Sequence, residues 1–133
     1  MSGLCLVAGL LVAPLGETVL LSWTHSIEKT RWEEVWREEN GQMRVTEARI
    51  RAIGAGMEPP PGARLVEGVW HYVPALPPQP SVLLTHSPHV PSYTICAGGR
   101  CQAVEAWLPG LPEEAFLELM PCARAGRNGL PVR

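Results

Sequence analysis

Apolar residues in this sequence fall into short runs, and glycine or proline separates most of these runs from one another. The chain holds 14 prolines and 13 glycines, which helix interiors tolerate poorly. Alternation between residues 18 and 26 places Val19, Leu21, Trp23 and His25 on one face of a strand. The pattern predicts short strands over Leu4–Ala8, Thr18–Ser26, Arg31–Glu39, Gln42–Ile53, Val66–Val73, Val82–Ser87, Tyr93–Ala97 and Cys101–Trp107.

This series of strands predicts an all-β fold, either a mostly antiparallel sandwich or a barrel-like domain. At most one short helix is expected near the C-terminus, over Leu111–Leu119, where Pro112 suits a first helical turn. A last strand is the alternative for that segment. At 133 residues the chain is expected to form a single domain over residues 1–122, with a loose tail over 123–133.

The dipeptide Asn40-Gly41 is a strong signal for a two-residue β-hairpin turn, because both of its residues tolerate positive φ. The register that follows from this turn places Glu34 directly opposite Glu47, and Trp32 opposite Arg49. Two opposed carboxylates destabilise a sheet unless a proton, a cation or a basic residue compensates them. Neutralisation by Arg49 is the simpler interpretation, and a polar recognition site is the alternative.

Polar residues on either side of this hairpin extend the candidate site. His25 shares a strand face with Trp23, so a partly buried histidine with satisfied hydrogen bonds is its simpler interpretation. Glu28 and Lys29 form either a solvated turn or part of a site. Glycines and prolines between residues 54 and 62 predict a stiff loop. The candidate ligand- or partner-binding residues are His25, Glu28, Lys29, Trp32, Glu34, Glu47, Met57 and Glu58.

The four cysteines suggest two disulfide bonds. Cys96 and Cys101 bracket a four-residue loop, so a hairpin there would bring them within bonding distance. Cys5 and Cys122 would then tie the two ends of the domain together. Free buried thiols are a second alternative, and a zinc site with His86 and His89 is a third, whose spacing matches no common finger. No metal or cofactor is expected.

Composition narrows the classes of function. The hydrophobic fraction is 46%, the charged fraction is 18% and the formal net charge is −2, so we expect a globular protein that does not bind nucleic acid. No apolar run reaches the roughly 18 residues of a membrane-spanning helix. The apolar N-terminal segment lacks the positive residues that begin a signal peptide. A chain that does not span the membrane is therefore expected.

The segment WTHSIEKTRWEEVW, the later segment EARIRAIGAGMEPPPGA and the Trp70-His71-Tyr72 strand resemble the bacterial family catalogued as domain of unknown function 1850. The resemblance runs from about Leu4 to Cys122. Matching positions are Trp23, His25, Ser26, Glu28, Lys29, Trp32, Glu47, Gly54, Gly56, Met57, Glu58 and Pro59. It implies small proteins that are often exported and are commonly encoded beside TRAP-type transporter permeases of the TAXI class. It implies no known activity and assigns no role to any residue.

Three functions are compatible with these observations. The first is a periplasmic or otherwise extracytoplasmic accessory or binding module, whose partner is a TRAP-type permease or its solute-binding protein. The second is a structural or assembly protein. The third is a small enzyme that uses a carboxylate pair with His25, although the sequence contains no nucleophile motif or phosphate-binding loop. The oligomeric state does not follow from the sequence.

Overall fold

Strands dominate the computed structural model, which describes residues 3–24, 30–51 and 61–128, the side chains of 126–128 excepted. The strands and helices are β1 (Leu4–Ala8), β2 (Leu11–Gly16), β3 (Thr18–Thr24), β4 (Arg31–Glu39), β5 (Gln42–Arg51), β6 (Arg64–Val66), β7 (Val69–Tyr72), β8 (Val82–His86), β9 (Thr94–Ala97), β10 (Arg100–Ala103), α1 (Val104–Trp107), β11 (Ala115–Pro121) and α2 (Cys122–Asn128).

The strands form two antiparallel sheets that pack face to face. The smaller sheet has the order β2-β1-β11-β8, and the larger sheet has the order β10-β9-β3-β4-β5-β7-β6. Neither sheet closes on itself within the part of the chain that is described, so the domain is a sandwich and not a barrel. The predicted all-β, mostly antiparallel fold is confirmed. No helix in the described ranges is long and apolar enough to cross a membrane.

The core lies between the two sheets, because alternate residues of each strand turn toward the opposing sheet. Leu6 and Leu117 from the smaller sheet meet Val19, Leu21 and Ile95 from the larger sheet, and all five side chains are fully buried. We call the side of the larger sheet that meets this core its inner face, and the opposite side its outer face.

The segment predicted as a helix over Leu111–Leu119 contains the strand β11 instead, as the alternative reading held. Leu117 and Leu119 are fully buried, whereas Phe116, directly before Leu117, is 70% exposed and Glu118 between them is only partly buried, which is the period-two pattern of a strand. The strand β11 pairs with β1 on one side and β8 on the other, so sheet pairing outweighs the local helix propensity. The prediction of a helix there is wrong.

Two short helices occur at other positions. The helix α1 continues directly from β10, and its Trp107 indole donates a hydrogen bond to the carbonyl of Ile95 at 3.0 Å. The segment after Cys122, expected to be a loose tail, is helical through Asn128, and Ala125 is buried against β1 and β11.

A β-bulge changes the register of the β4–β5 hairpin. Asn40 and Gly41 have φ values of 52° and 77°, as the predicted two-residue turn requires, and Trp36 pairs with Val45 as expected. The register then shifts, so that Val35 pairs with Glu47 and leaves Thr46 as the extra residue. The Thr46 hydroxyl donates to the carbonyl of Val35 at 3.4 Å.

The shift separates residues that the sequence had placed together. Glu34 pairs with Ala48, and Glu47 lies on the opposite face of the sheet. Arg49 pairs with Glu33, whereas Trp32 pairs with Ile50. The predicted Glu34–Glu47 pair and the predicted contact of Arg49 with Trp32 are therefore wrong, because one extra residue inverts the faces of everything that follows it.

Both predicted disulfides are present. Cys96 and Cys101 are directly paired across the β9–β10 hairpin, whose two-residue turn is Gly98-Gly99, and their sulfur atoms are bonded. Cys5 in β1 is bonded to Cys122, which follows β11 directly. These bonds occupy all four thiols, so the zinc alternative loses its cysteine ligands and the free-thiol alternative is wrong.

Candidate functional site

A carboxyl group lies among aromatic rings on the inner face of the larger sheet. The bulge at Thr46 leaves Trp32, Glu34 and Trp36 of β4 turned inward, directly opposite Ile50, Ala48 and Val45 of β5 in the same order. Trp36 is almost completely buried, whereas Glu34 and Trp32 are partly buried. The inner face therefore carries a polar, ionisable group at a position where a strand of this kind normally has an apolar side chain.

Glu34 accepts one hydrogen bond from a neighbouring indole. The Trp36 Nε1–H donates to Glu34 Oε1 at 3.0 Å. Burial raises the pKa of Glu34 above 4.5, and this hydrogen bond opposes part of the rise. Within the described part of the chain, no lysine, arginine or histidine lies within 4.0 Å of this carboxylate. The negative charge of Glu34 is therefore uncompensated there.

Two tyrosines flank the same carboxylate. Burial raises the pKa of Tyr72 and of Tyr93, and the negative charge of Glu34 raises both further. Tyr72 reaches the inner face because β7 pairs it with Ala48, the residue that also pairs with Glu34. Both phenols consequently remain protonated near neutral pH, so each keeps an O–H donor.

The indoles form the remaining wall of this region. Trp23 and Trp32 are cross-strand partners whose ring centroids lie 6.3 Å apart with an interplanar angle of 16°, and Trp23 also meets Tyr93 at 5.8 Å. The Nε1–H of Trp32 is buried without a hydrogen-bond partner among the described residues. We define the aromatic–carboxylate cluster by Trp23, Trp32, Glu34, Trp36, Tyr72 and Tyr93.

A pocket of about 340 Å³ adjoins this cluster at one end of the sandwich. Its walls come from the ends of β3 and β8 and from the segment before β9. The lining residues are Trp23, Thr24, Thr85, Ser87, Val90, Pro91 and Tyr93. Trp23 and Tyr93 belong both to the pocket and to the aromatic–carboxylate cluster, so the two features share a wall.

Glu47 lies on the outer face in a network of ion pairs. Arg49 Nε lies 2.5 Å from Glu47 Oε2, and Arg49 Nη1 lies 3.8 Å from Glu33 Oε1. His71 Nδ1 lies 3.5 Å from the same Glu47 oxygen. The hydrogen bond from Arg49 lowers the pKa of Glu47 below 4.5. Arg49 thus pairs with Glu47 on the face opposite Glu34, and the opposed Glu34–Glu47 pair that it was expected to neutralise does not form.

The sequence-based candidates separate into three groups. Trp32 and Glu34 lie together in the aromatic–carboxylate cluster, and Glu47 lies on the other side of the sheet. The candidates His25, Glu28, Lys29, Met57 and Glu58 lie outside the described residues. The enzyme hypothesis required a carboxylate pair, and the register separates its Glu34 and Glu47.

Sequence reasoning missed Trp23, Trp36, Tyr72 and Tyr93 as members of one cluster. The period-two alternation within each strand indicates which side chains share a face. Which residues of neighbouring strands lie together depends on the register, and the bulge that sets the β4–β5 register is not evident from the sequence. Over the described ranges, no group of three or more histidine, cysteine or glutamate side chains is placed to hold a metal ion. The cluster offers aromatic faces, hydroxyl and indole donors and one carboxylate, which is the chemistry of ligand recognition.

These features define a small, disulfide-bonded β-sandwich whose larger sheet carries an aromatic-lined polar site. The family described as "Domain of unknown function (DUF1850)" matches residues 19–104, which is more than half of the chain. The chain belongs to this family. The matched range contains the larger sheet apart from Thr18, the first residue of β3, and it contains the whole aromatic–carboxylate cluster. Comparisons with curated proteins and with solved structures return no match.

Proposed function

We propose that this protein is an extracytoplasmic binding module that takes a small organic cation at the aromatic–carboxylate cluster and serves a TRAP-type transport system of the TAXI class. The observation that carries the ligand part is the carboxylate of Glu34, which lies among aromatic rings and has no cationic partner in the described part of the chain. An unpaired, partly buried charge costs free energy, and a bound cation would remove that cost.

The rings around Glu34 supply the second element of cation recognition. The face of an aromatic ring attracts a cation through its quadrupole, by about 0.5–2 kcal/mol for each well-placed ring. Trp23, Trp32 and Tyr93 contact one another in series, and Trp23 and Tyr93 also line the 340 Å³ pocket. A ligand with an ammonium group and a short apolar body fits this combination of charge and apolar surface.

Choline and its uncharged isostere 3,3-dimethylbutan-1-ol test the ligand class, because they differ in charge and scarcely in shape. Tryptophan fluorescence during titration reports binding near the indoles. We expect choline to bind and the isostere to bind at least tenfold more weakly. Glu34→Gln should reduce this preference to the part that the aromatic rings contribute, whereas the exposed Glu113→Gln should keep it in full. Equal binding of the two compounds, or no binding of either, would contradict the organic-cation assignment.

The pH dependence gives an independent check of the same site. Glu34 has a raised pKa, so its carboxylate gains a proton as the pH falls toward 4.5. Choline affinity should decrease as Glu34 becomes protonated, and the Glu34→Gln variant should lack this decrease. A choline affinity that stays constant from pH 7 to pH 4 in the unmodified protein would assign the binding to another group.

The proposed extracytoplasmic location and the proposed transport partner depend on observations other than the geometry of the ligand site. Two disulfides are typical of proteins from oxidising compartments and support an extracytoplasmic location. The TAXI-class permease is the partner that the resemblance in the sequence leads us to expect. Co-expression of the tagged protein with the neighbouring permease and its solute-binding protein tests this link. Co-purification of either component would support it, and its failure in both membrane and periplasmic fractions would remove the transport assignment without affecting the ligand site.

A further inference from the structure

The outer face of the larger sheet is strongly basic in an acidic protein. Alternation along β4 and β5, together with pairing to β7 and β6, turns six arginines and three glutamates to this face, giving the described residues of these strands a formal charge of +3. The whole chain has a formal charge of −2. These residues are Arg31, Arg37, Arg44, Arg49, Arg51 and Arg64, with Glu33, Glu39 and Glu47.

Two pairs of these arginines lie directly opposite each other on neighbouring strands. Arg31 pairs with Arg51, and Arg37 pairs with Arg44, at the two ends of the β4–β5 ribbon. Like charges in directly opposed positions destabilise a sheet. Arg31 contacts Glu33 at 3.7 Å and Arg44 contacts Glu39 at 3.2 Å, so one arginine of each pair has a carboxylate partner. The other arginine of each pair is considered next.

Arg37 and Arg51 are those remaining members. Both are exposed, and no described carboxylate lies within 4.0 Å of either guanidinium. The smaller sheet packs on the inner face, so it does not cover these arginines. An anionic group from outside the described part of the domain would remove the repulsion within each pair.

A groove of about 470 Å³ opens on the same face, beside the basic residues. Leu20, Val35 and the Cys96–Cys101 disulfide contribute apolar surface to it. Arg49 and Arg100 also line it. Arg37 lies next to the groove, because it pairs with Thr18, another lining residue. Apolar surface between guanidinium groups suits a chain that presents both carboxylates and apolar side chains.

We propose that the outer face docks an acidic, extended polypeptide segment of a partner protein. Its carboxylates would pair with the arginine forks, and one of its apolar side chains would enter the groove. Arginine binds carboxylates through two parallel hydrogen bonds, and the permanently charged cations on this face are all arginines among the described residues. The partner's negative charge complements a face of charge +3.

An anionic membrane is the competing occupant, and the distribution of aromatic residues disfavours it. Membrane-surface proteins place tryptophan and phenylalanine beside their basic residues. In this domain Trp23, Trp32 and Trp36 lie on the inner face, on the other side of the sheet from the arginines. Three glutamates are also interspersed among the arginines, and they would repel anionic lipid headgroups.

A short fluorescein-labelled peptide with glutamate at alternate positions is the probe, and the same peptide with glutamine at those positions is its control. Fluorescence anisotropy with the full chain should detect binding of the glutamate peptide that weakens with added salt. Arg37→Gln combined with Arg100→Gln should weaken it about fivefold to tenfold, because two exposed ion pairs are lost. Arg124→Gln on α2 carries no outer-face charge and should change it little.

Vesicles containing phosphatidylserine form the second arm of the experiment. Binding to these vesicles without binding to the glutamate peptide would overturn the proposal in favour of a membrane. Equal binding of the glutamate and glutamine peptides would also overturn it, as would an equal loss of affinity in the Arg124→Gln variant. Thermal unfolding of each variant separates loss of the folded state from loss of the docking face.

Discussion

The two disulfides close loops of very different length, and this difference predicts a ranking of their contributions to stability. Cys5 and Cys122 are 117 residues apart, whereas Cys96 and Cys101 are 5 apart. When the stabilisation is attributed to reduced entropy of the unfolded chain, it grows with the logarithm of loop length. That treatment assigns about 5 kcal/mol to the Cys5–Cys122 bond and about 2 kcal/mol to the Cys96–Cys101 bond.

The native surroundings reinforce this ranking. Cys5 and Cys122 are buried together with Val7, Met120 and Ala125, where they connect β1 to the start of α2. Cys96 and Cys101 lie at the outer face, and backbone pairing of β9 with β10 holds the same hairpin without them. Alanine is the suitable replacement at Cys5 and Cys122, since a buried serine hydroxyl there would add a polar group without a partner, and alanine at Cys96 and Cys101 keeps the comparison matched.

Urea unfolding followed by tryptophan fluorescence measures both effects. A domain of this kind has a total stability of about 5–15 kcal/mol, so Cys5→Ala/Cys122→Ala should leave a marginal fold with a much lower midpoint. Cys96→Ala/Cys101→Ala should remain folded with a modest decrease in midpoint. Equal decreases, or a larger decrease for the Cys96–Cys101 variant, would refute the argument from loop length. Thiol counting on unfolded, unreduced protein confirms beforehand that both bonds are formed.

Three further perturbations follow from the sheet register. The folded-state pKa of Glu34 is raised, so its contribution to stability is fully present below pH 4.5 and is lost as pH rises through the folded-state pKa. Glu34→Gln should therefore be at least as stable as the unmodified protein at pH 7, as measured by urea midpoints across pH. The folded-state pKa of Glu47 is lowered, so its contribution is present above pH 4.5 and is lost as pH falls. Glu47→Gln should cost only about 0.5 kcal/mol at pH 7, because its side chain is 37% exposed; a cost several times larger in the same urea assay would contradict this. Deletion of Thr46 should be tolerated, since it removes only the extra residue of the bulge and leaves Glu47 paired with Val35 and Ala48 paired with Glu34; loss of the cooperative thermal transition would contradict this.

The sequence predicts several strands whose apolar runs have clear ends, but it misses β2 (Leu11–Gly16), and Val104–Trp107, expected within a strand, forms α1. The boundaries Leu4–Ala8 and Arg31–Glu39 are the same in sequence and structure, and the Asn40-Gly41 turn forms as its φ preferences require. The disulfide pairing could be predicted for a similar reason. The Cys96–Cys101 hairpin is local, and once those two cysteines are paired only Cys5 and Cys122 remain. These predictions depend only on short-range geometry.

Other features depend on contacts between distant parts of the chain. The segment LPEEAFLEL has residues that favour a helical start, yet β11 occupies the centre of the smaller sheet between β1 and β8. Pairing on both sides satisfies the backbone of β11, and the alternation of Leu117 and Leu119 then fills the core. Such tertiary pairing is invisible to a local pattern, which is why the helix prediction failed.

The bulge at Thr46 determines which residues of the β4–β5 hairpin face the core and which face outward. Without it, Glu34 would oppose Glu47, and Ile50 would lie on the face that carries the charged residues. One extra residue removes the carboxylate repulsion, gives Glu47 the guanidinium of Arg49, and leaves Glu34 among aromatic rings with no cationic partner in the described ranges. The bulge therefore determines which side chains of β4 and β5 share a face. Aromatic rings and one carboxylate lie on the inner face, and arginines lie on the outer face. The two proposed recognition surfaces, for an organic cation on the inner face and for an acidic segment on the outer face, both depend on this arrangement of the two faces.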